Sequence, residues 1–398
     1  MHELLHLAVA VPEASEKAIS YYYAKNTLWA VGLLWGIAVP ALVLFTGWSA
    51  RMRDAAARVS SRWAVHLFLY LLIYGAVTAV LALPVAYYDE FVLEHGFALS
   101  NQSFAKWATD SAIAFVVGTI ISYVFLLGVY RLLARSPKRW WLYMGLASIP
   151  IVVLLFLVTP IWIEPLFNKF GPMKDRALEA KILALADRAG IEGSRVFEVE
   201  KSEDTKKLNA YVSGFFDTKR IVLSDTLIKA MDEKEVLFVM GHEMAHYVLG
   251  HVWSGIVVIC TLVFLALYAT HRLAHRLIDR HRARFGFDRL EDMASWPLVN
   301  ILMSLVFVVA LPIVNLYFRH GEHEADRFGL EITQDSDAAA RAFVKLNSVN
   351  LALARPNAFL HAIRESHPTL AERIEFANTY RPWERGERLK YQEHFSGK

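Results

Sequence analysis

The chain has 398 residues, 55% of them hydrophobic and only 20% charged, with 42 Lys and Arg against 39 Asp and Glu. Soluble proteins run at about 45–50% apolar, glycine included, and about 25% charged, so this balance excludes an ordinary soluble enzyme, a disordered chain and a nucleic-acid binder. The single cysteine, Cys260, excludes an internal disulfide and any cysteine-rich metal site.

In chain order, residues 1–26 form an N-terminal segment unlike a signal peptide. It lacks a basic start, and Glu13, Glu16 and Lys17 stand where a cleavage site is expected. An N-terminal membrane domain follows over 27–163. Its four apolar runs, Leu28–Trp48, Ala64–Tyr87, Ala112–Leu132 and Trp141–Trp162, match the length of about 20 residues that a bilayer crossing needs. Residues 164–248 read as a mixed α/β block, with a helix over Lys174–Ala189 and strands at Arg195–Val199, Ala210–Val212 and Arg220–Leu223. A helix then starts near Asp232, where Asp232 and Glu235 have capping-box spacing. Its apolar run Val236–Met240 is expected to continue unbroken through Gly241 into a fifth span. Residues 249–318 hold two more runs, Leu249–Thr270 and Ala294–Phe318, and 319–398 are helical in pattern, with starts at Ser336 and at Pro368 as a first-turn residue. Tryptophans flank the spans, and Pro40, Pro84, Pro150, Pro160 and Pro312 fall inside them. The expectation is a predominantly α-helical multi-pass membrane protein, embedded in the lipid bilayer, whose kinked helices enclose a cavity.

Charge divides the links into two sets. Arg51, Arg53, Arg58 and Arg62 follow the first span, Arg131, Arg135, Lys138 and Arg139 surround the end of the third, and six arginines from Arg272 to Arg289 lie between the fifth and sixth. All three links fall on the side opposite both polar blocks, and the positive-inside rule makes that side cytoplasmic.

Residues 242–246 read His-Glu-Met-Ala-His. Two histidines four apart on a helix share a face and can reach one Zn²⁺, while Glu243 can take a proton from water that the metal acidifies. A third protein ligand is needed. His251 is near, but a metzincin pattern wants Gly seven and His ten residues after His242, where Leu249 and Val252 stand; His251 therefore reads as a polar residue at the membrane interface. Past the sixth span, Glu322 and Asp326 are four apart on one helix face. One can ligate the metal while the other holds a ligand imidazole in its tautomer. Glu324, His320 and His323 are rivals that read more simply as solvated helix residues. Asn209-Ala210-Tyr211 lies in a strand that could pair with an extended peptide, although an ordinary structural strand explains it as well. His367 precedes a helix start and reads equally as a cap or a site residue.

Taken together and in order, these stretches resemble the integral-membrane zinc metalloproteases of the CAAX prenyl protease type. The likeness extends to Phe91-Val-Leu-Glu-His-Gly-Phe97, to Ile163-Glu-Pro-Leu-Phe-Asn-Lys-Phe170, to Lys219-Arg-Ile-Val-Leu-Ser-Asp-Thr226 and to Ser366-His-Pro368, across about residues 30 to 380. The resemblance implies a gluzincin-like catalytic region holding one Zn²⁺ per chain through His242, His246 and Glu322, with Glu243 as general base. Asp326 would be the partner of a ligand histidine and Arg373 a supporting residue. Asn209, Ala210 and Tyr211 would hold the substrate backbone, and His367 would stabilise the oxyanion. It implies a polypeptide substrate, membrane-associated or lipid-modified, and a cytoplasmic catalytic face, which is opposite to the orientation that the charge pattern indicates. Two departures stand out: the eukaryotic members have seven spans against six here, and Lys206, Lys207 and Leu208 precede Asn209 where small polar residues are expected. The competing readings are a quality-control protease without prenyl specificity, a pseudo-protease, and a transporter. The last needs ionisable groups near the bilayer midplane, which these spans lack.

Overall fold

A computed structural model describes residues 8–214 and 219–395. The first helix, α1 (Glu16–Phe45), starts well before its apolar run because Ser15 caps it, the hydroxyl accepting from the Ala18 N–H at 3.1 Å. The boundary expected at residue 26 therefore falls inside a helix, as does that at 318. A turn at Gly47, held left-handed (φ 72°), leads into α2 (Trp48–Val59), a short amphipathic helix that hydropathy alone does not mark. α3 (Trp63–Ala86) passes Pro84 and continues as a π-helical turn over Tyr87–Leu93 and a single α-turn, α4 (Glu94–Gly96). α5 (Phe104–Arg135) and α6 (Trp140–Val158) follow, the latter extended by a second π-turn, Thr159–Ile163, that contains Pro160. With α10 (His251–Phe285) and α11 (Trp296–Thr333), six stretches among the described residues are long and apolar enough to cross a membrane. Large apolar side chains such as Leu34, Val80, Val124, Leu154, Val257 and Val309 point outward from them. Water would not favour such a surface, whereas lipid does.

The two ends of this bundle differ. At one end the three arginine-rich links meet: Ser49 Oγ donates to the Ala294 carbonyl at 2.7 Å, Tyr130 Oη to that of Met293 at 3.2 Å, and His271 lies beside Trp140 and Trp141. At the other end, Lys25 pairs with Asp89 at 2.5 Å and Lys207 with Glu94 at 2.8 Å, joining the starts and ends of the spans to the polar block. A cavity of about 530 Å³ lies between α1 and α3, with Asn300 of α11 in its wall.

The polar block is built on a four-stranded sheet of order β1-β2-β4-β3. β1 (Phe170–Pro172) and β2 (Arg195–Val199) are antiparallel, β2 and β4 (Arg220–Ser224) parallel, and β3 (Ala210–Ser213) runs antiparallel to β4 at the edge. α7 (Arg176–Arg188), α8 (Asp225–Ala230) and α9 (Glu233–Val248) accompany it. α12 (Ser336–Val349), α13 (Ala358–Arg364) and α14 (Leu370–Thr379) follow α11. Pro368 is not a first-turn residue: Thr369 is the cap of α14 and forms a capping box with Glu372, leaving Pro368 outside the helix. One apolar core joins the sheet, α7, α9, the far third of α11, α12 and α14.

α9 does not run on into the fifth span. It ends at Val248, and Gly250 adopts a left-handed conformation (φ 70°) before α10 begins at His251. That conformation strains residues with a Cβ, so glycine stops the helix where its apolar pattern would have carried it on.

α9 and α11 cross with almost no space between their backbones. A Cβ built on Gly241 would lie 3.3 Å from Gly329 Cα and 3.0 Å from an Ile332 methyl; one on Gly329 would lie 3.1 Å from the His242 backbone nitrogen. Backbone atoms cannot rotate away. Gly329→Ala is therefore expected to force a small separation and Gly329→Val a larger one, with destabilisation of about 1–3 kcal/mol for the latter, read as a graded fall in melting temperature. An unchanged midpoint for Gly329→Val would show that the crossing is not tight.

Candidate active site

The capping box at the start of α9 forms in both directions, Glu235 N–H to Asp232 at 3.0 Å and Asp232 N–H to Glu235 at 2.7 Å, which fixes the phase of the helix from its first turn. Four residues make slightly more than one turn, so His242 and His246 project together toward α11. Their Nε2 atoms are 3.3 Å apart. Glu322, from α11, brings Oε2 to 3.3 Å from His242 Nε2 and Oε1 to 3.4 Å from His246 Nε2. Among the described residues this is the one group of His, Cys, Asp or Glu whose donor atoms gather closely enough to hold a metal ion. Glu322 Oε2 is buried and has no well-directed hydrogen bond, a costly state for a carboxylate oxygen unless a cation meets it. The residues fit a metal.

Behind His242, Asp326 Oδ1 lies 2.9 Å from Nδ1. A metal on Nε2 requires the ring proton on Nδ1, so Nδ1–H donates to Asp326. Arg373, from α14, grips the same carboxylate with two bonds, Nη2 to Oδ1 at 2.6 Å and Nε to Oδ2 at 2.9 Å, and its guanidinium lies 4.3 Å from the centre of the Phe343 ring. Burial opposes charge on Arg373, but Asp326 outweighs it and raises the pKa. Burial likewise opposes an imidazolium at His242, yet its bonds to Asp326 and Glu322 raise it to about 10. The pocket favours positive charge at that nitrogen, which is the place of the metal. Burial, then the charge at His242, lower His246 to about 3, leaving its ring neutral with a lone pair to offer.

Glu243 points from the same helix into a cavity of about 540 Å³ that His242, His367, Asn209 and Ala210 also line. Burial pushes its carboxyl up to about 7, and no hydrogen bond from the protein stabilises the anion. A carboxylate so placed is a stronger base than one in water. His367 Nε2 lies 3.3 Å from Glu322 Oε2 while Nδ1 lies 3.1 Å from Ser366 Oγ. If the serine donates to Nδ1, Nε2 carries the proton and faces the cavity.

The strand residues divide their tasks. The Asn209 backbone is tied to Ser224, its N–H reaching Oγ at 3.1 Å and its carbonyl accepting from the Ser224 N–H at 3.0 Å, so the exposed side chain is left toward the cavity. Ala210 begins the edge strand, and Tyr211 turns away to donate to Glu164 at 2.6 Å, anchoring β3 to the end of the fourth span. The rival ligands do not converge. Glu324 accepts from Lys390 at 2.6 Å and from Tyr391 at 2.9 Å, His323 stacks on Phe376, and the side chain of His320 is exposed. His251 is placed otherwise than its sequence context indicates: its Nδ1 is 3.1 Å from His246 Nδ1. The sequence signal that could have found it is Gly250, a residue able to turn the chain back on itself.

A His-Glu-x-x-His helix, a glutamate from a second helix and a six-span bundle define a membrane metallopeptidase. Residues 172–381 match peptidase family M48, and residues 7–169 match the CAAX prenyl protease N-terminal region, described as five membrane helices. The chain is 34% identical over 366 residues to the uncharacterized metalloprotease YhfN of Bacillus subtilis, covering 91% of this chain and 85% of that one. It is 31% identical over 305 residues to the CAAX prenyl protease 1 homolog of Dictyostelium discoideum (75% and 69%), and 28% over 327 residues to CAAX prenyl protease 1 of Saccharomyces cerevisiae (77% and 70%). The crystal structure of S. mikatae Ste24p superposes with a TM-score of 0.82 at 23% identity, over 95% of this chain and 93% of that one. The chain belongs to peptidase family M48. It is an integral multi-pass membrane metalloendopeptidase that acts on polypeptides with a metal cofactor.

Removing the Asp326 carboxylate frees the His242 ring to rotate. Asp326→Ala is expected to weaken metal binding 10–100-fold, measured by competition with a chromogenic chelator; wild-type affinity in that variant would remove Asp326 from the site.

Proposed function

We propose that the protein is a zinc-dependent endopeptidase of membrane-associated, lipid-modified polypeptides of the CAAX type. The observation that carries the membrane part is the lining of the catalytic cavity: Tyr21, Tyr22 and Lys25 of α1 share it with His242 and Glu243, and α1 continues from there to Phe45 through the bilayer. A substrate anchored in lipid can thus reach the site without leaving its anchor. The names of the Dictyostelium and yeast relatives support the CAAX assignment.

Zinc is supported by the donor set and its spacing. Two imidazoles and a carboxylate are a catalytic zinc set, and four-coordinate zinc with bonds of about 2.0–2.1 Å spaces its ligands about 3.3–3.4 Å apart, as found between His242, His246 and Glu322. Zinc bound there supplies Lewis acidity, acidifying water and polarising a carbonyl. The protein's own residues do the rest. His242, His246 and Glu322 hold the ion, one per chain; Asp326 and Arg373 keep the His242 ring in its tautomer. The exposed edge of β3 receives the substrate backbone at Asn209 and Ala210, with Tyr211 holding the strand in place through Glu164. Glu243 accepts the proton of the attacking water and returns it to the leaving amine. His367, with Nε2–H toward the cavity, donates to the oxygen that becomes negative.

Glu243→Gln is expected to retain one zinc per chain and lose turnover by at least about 100-fold, whereas Glu322→Ala should purify without stoichiometric zinc, both read by metal analysis beside a peptide-cleavage assay. Turnover surviving in Glu243→Gln would refute the role of the base. For the substrate, a farnesylated CAAX peptide is expected to be cleaved with a higher kcat/KM than the same peptide without the lipid; equal values would favour a broader quality-control protease.

A further inference from the structure

We infer that His251 positions the zinc ligand His246, accepting a hydrogen bond from its ring, so that each ligand imidazole has a partner of its own. The inference rests on the zinc reading above. His246 turns Nε2 toward the metal position, 3.3 Å from His242 Nε2 and 3.4 Å from Glu322 Oε1. A lone pair on Nε2 places the ring proton on Nδ1. Nδ1 faces His251 Nδ1 at 3.1 Å, the two rings standing 5.2 Å apart at 65°. Two N–H groups cannot face each other at that distance, so His251 Nδ1 is the acceptor and its own proton sits on Nε2. That nitrogen points toward Glu324, whose Oε2 is 4.0 Å away and also 3.8 Å from His320 Nε2. Lys390 and Tyr391 fix Glu324 in turn, at 2.6 and 2.9 Å.

The break between α9 and α10 makes this pairing possible. In an unbroken helix, residues 246 and 251 would be five apart, rotated by about 140° and on different faces. The left-handed Gly250 (φ 70°) reverses the local course of the chain and returns His251 to His246. Gly321 of α11 backs the ring, a Cβ there lying 3.6 Å from it.

The two partners differ in charge. Asp326 behind His242 is an anion, whereas His251 behind His246 is neutral. Glu322, Asp326 and Glu243 already place three carboxyl groups around one divalent ion, and a neutral acceptor fixes the second ring without adding a fourth.

The test uses the purified full-length chain and zinc competed against a chelator, with cobalt substitution as a second readout. His251→Ala is expected to bind zinc 10–100-fold more weakly and to alter the cobalt d–d spectrum, with the thermal midpoint of the metal-free protein unchanged. His251→Phe fills the same space without an acceptor and should match His251→Ala. His251→Asn, whose amide oxygen can stand near the place of Nδ1, should recover most of the affinity. Wild-type zinc affinity and an unaltered cobalt spectrum in His251→Phe would overturn the inference even if His251→Ala folds poorly. Failure of the wild-type protein to bind zinc would instead count against the zinc reading on which it rests.

Discussion

The close crossing of α9 and α11 at Gly241 and Gly329 is the constraint on which the site depends. A side chain larger than hydrogen at either glycine meets backbone or the neighbouring helix within about 3 Å. With both absent, the His242 backbone nitrogen lies against α11, and Glu322, two helical turns before Gly329, falls beside both imidazoles. Helices usually pack at 8–10 Å between axes, depending on the side chains between them. The shorter end of that range is what lets a glutamate reach histidines on another helix without a loop.

Charge is arranged around that crossing to require a cation. Buried ion pairs seldom add net stability, because desolvation offsets much of the attraction, but each fixes geometry strongly once its partners are in place. The Arg373–Asp326 pair ties α14 to α11 and delivers a fixed acceptor to His242. Glu331, fully buried two turns further along α11, accepts from the Lys390 and Tyr391 N–H groups at 3.0 and 2.8 Å and docks the C-terminal segment. That segment carries the side chains holding Glu324, so the far third of α11 joins metal site, α14 and C-terminal chain in one rigid unit.

The membrane spans serve the same unit. α11 is one continuous helix from the arginine-rich end of the bundle to Thr333, so the rod that crosses the bilayer also presents Glu322. α1 brings Tyr21, Tyr22 and Lys25 to the cavity, and Tyr211 anchors the edge strand to Glu164 at the end of the fourth span. A peptide at β3 and a lipid in the bilayer are therefore addressed by elements that share backbone or direct hydrogen bonds.

Much of this was legible in the sequence, because the signals are local. Six apolar runs announce six spans, since bilayer thickness sets their length. The i, i+4 spacing of His242 and His246 and of Glu322 and Asp326 puts each pair on one face, since the helical period does so in any context. What sequence left open was decided by contacts between distant segments. Spacing could not choose between Glu322 and Asp326; the tilt of α11 over α9 brings the first to both Nε2 atoms and the second behind one ring. The apolar run through Gly241 suggested one continuous helix, but Gly250 breaks it, because a glycine can either stay helical or turn left-handed and only packing selects. His251 looked like an interfacial residue for that reason, and the turn at Gly250 is what returns it to His246.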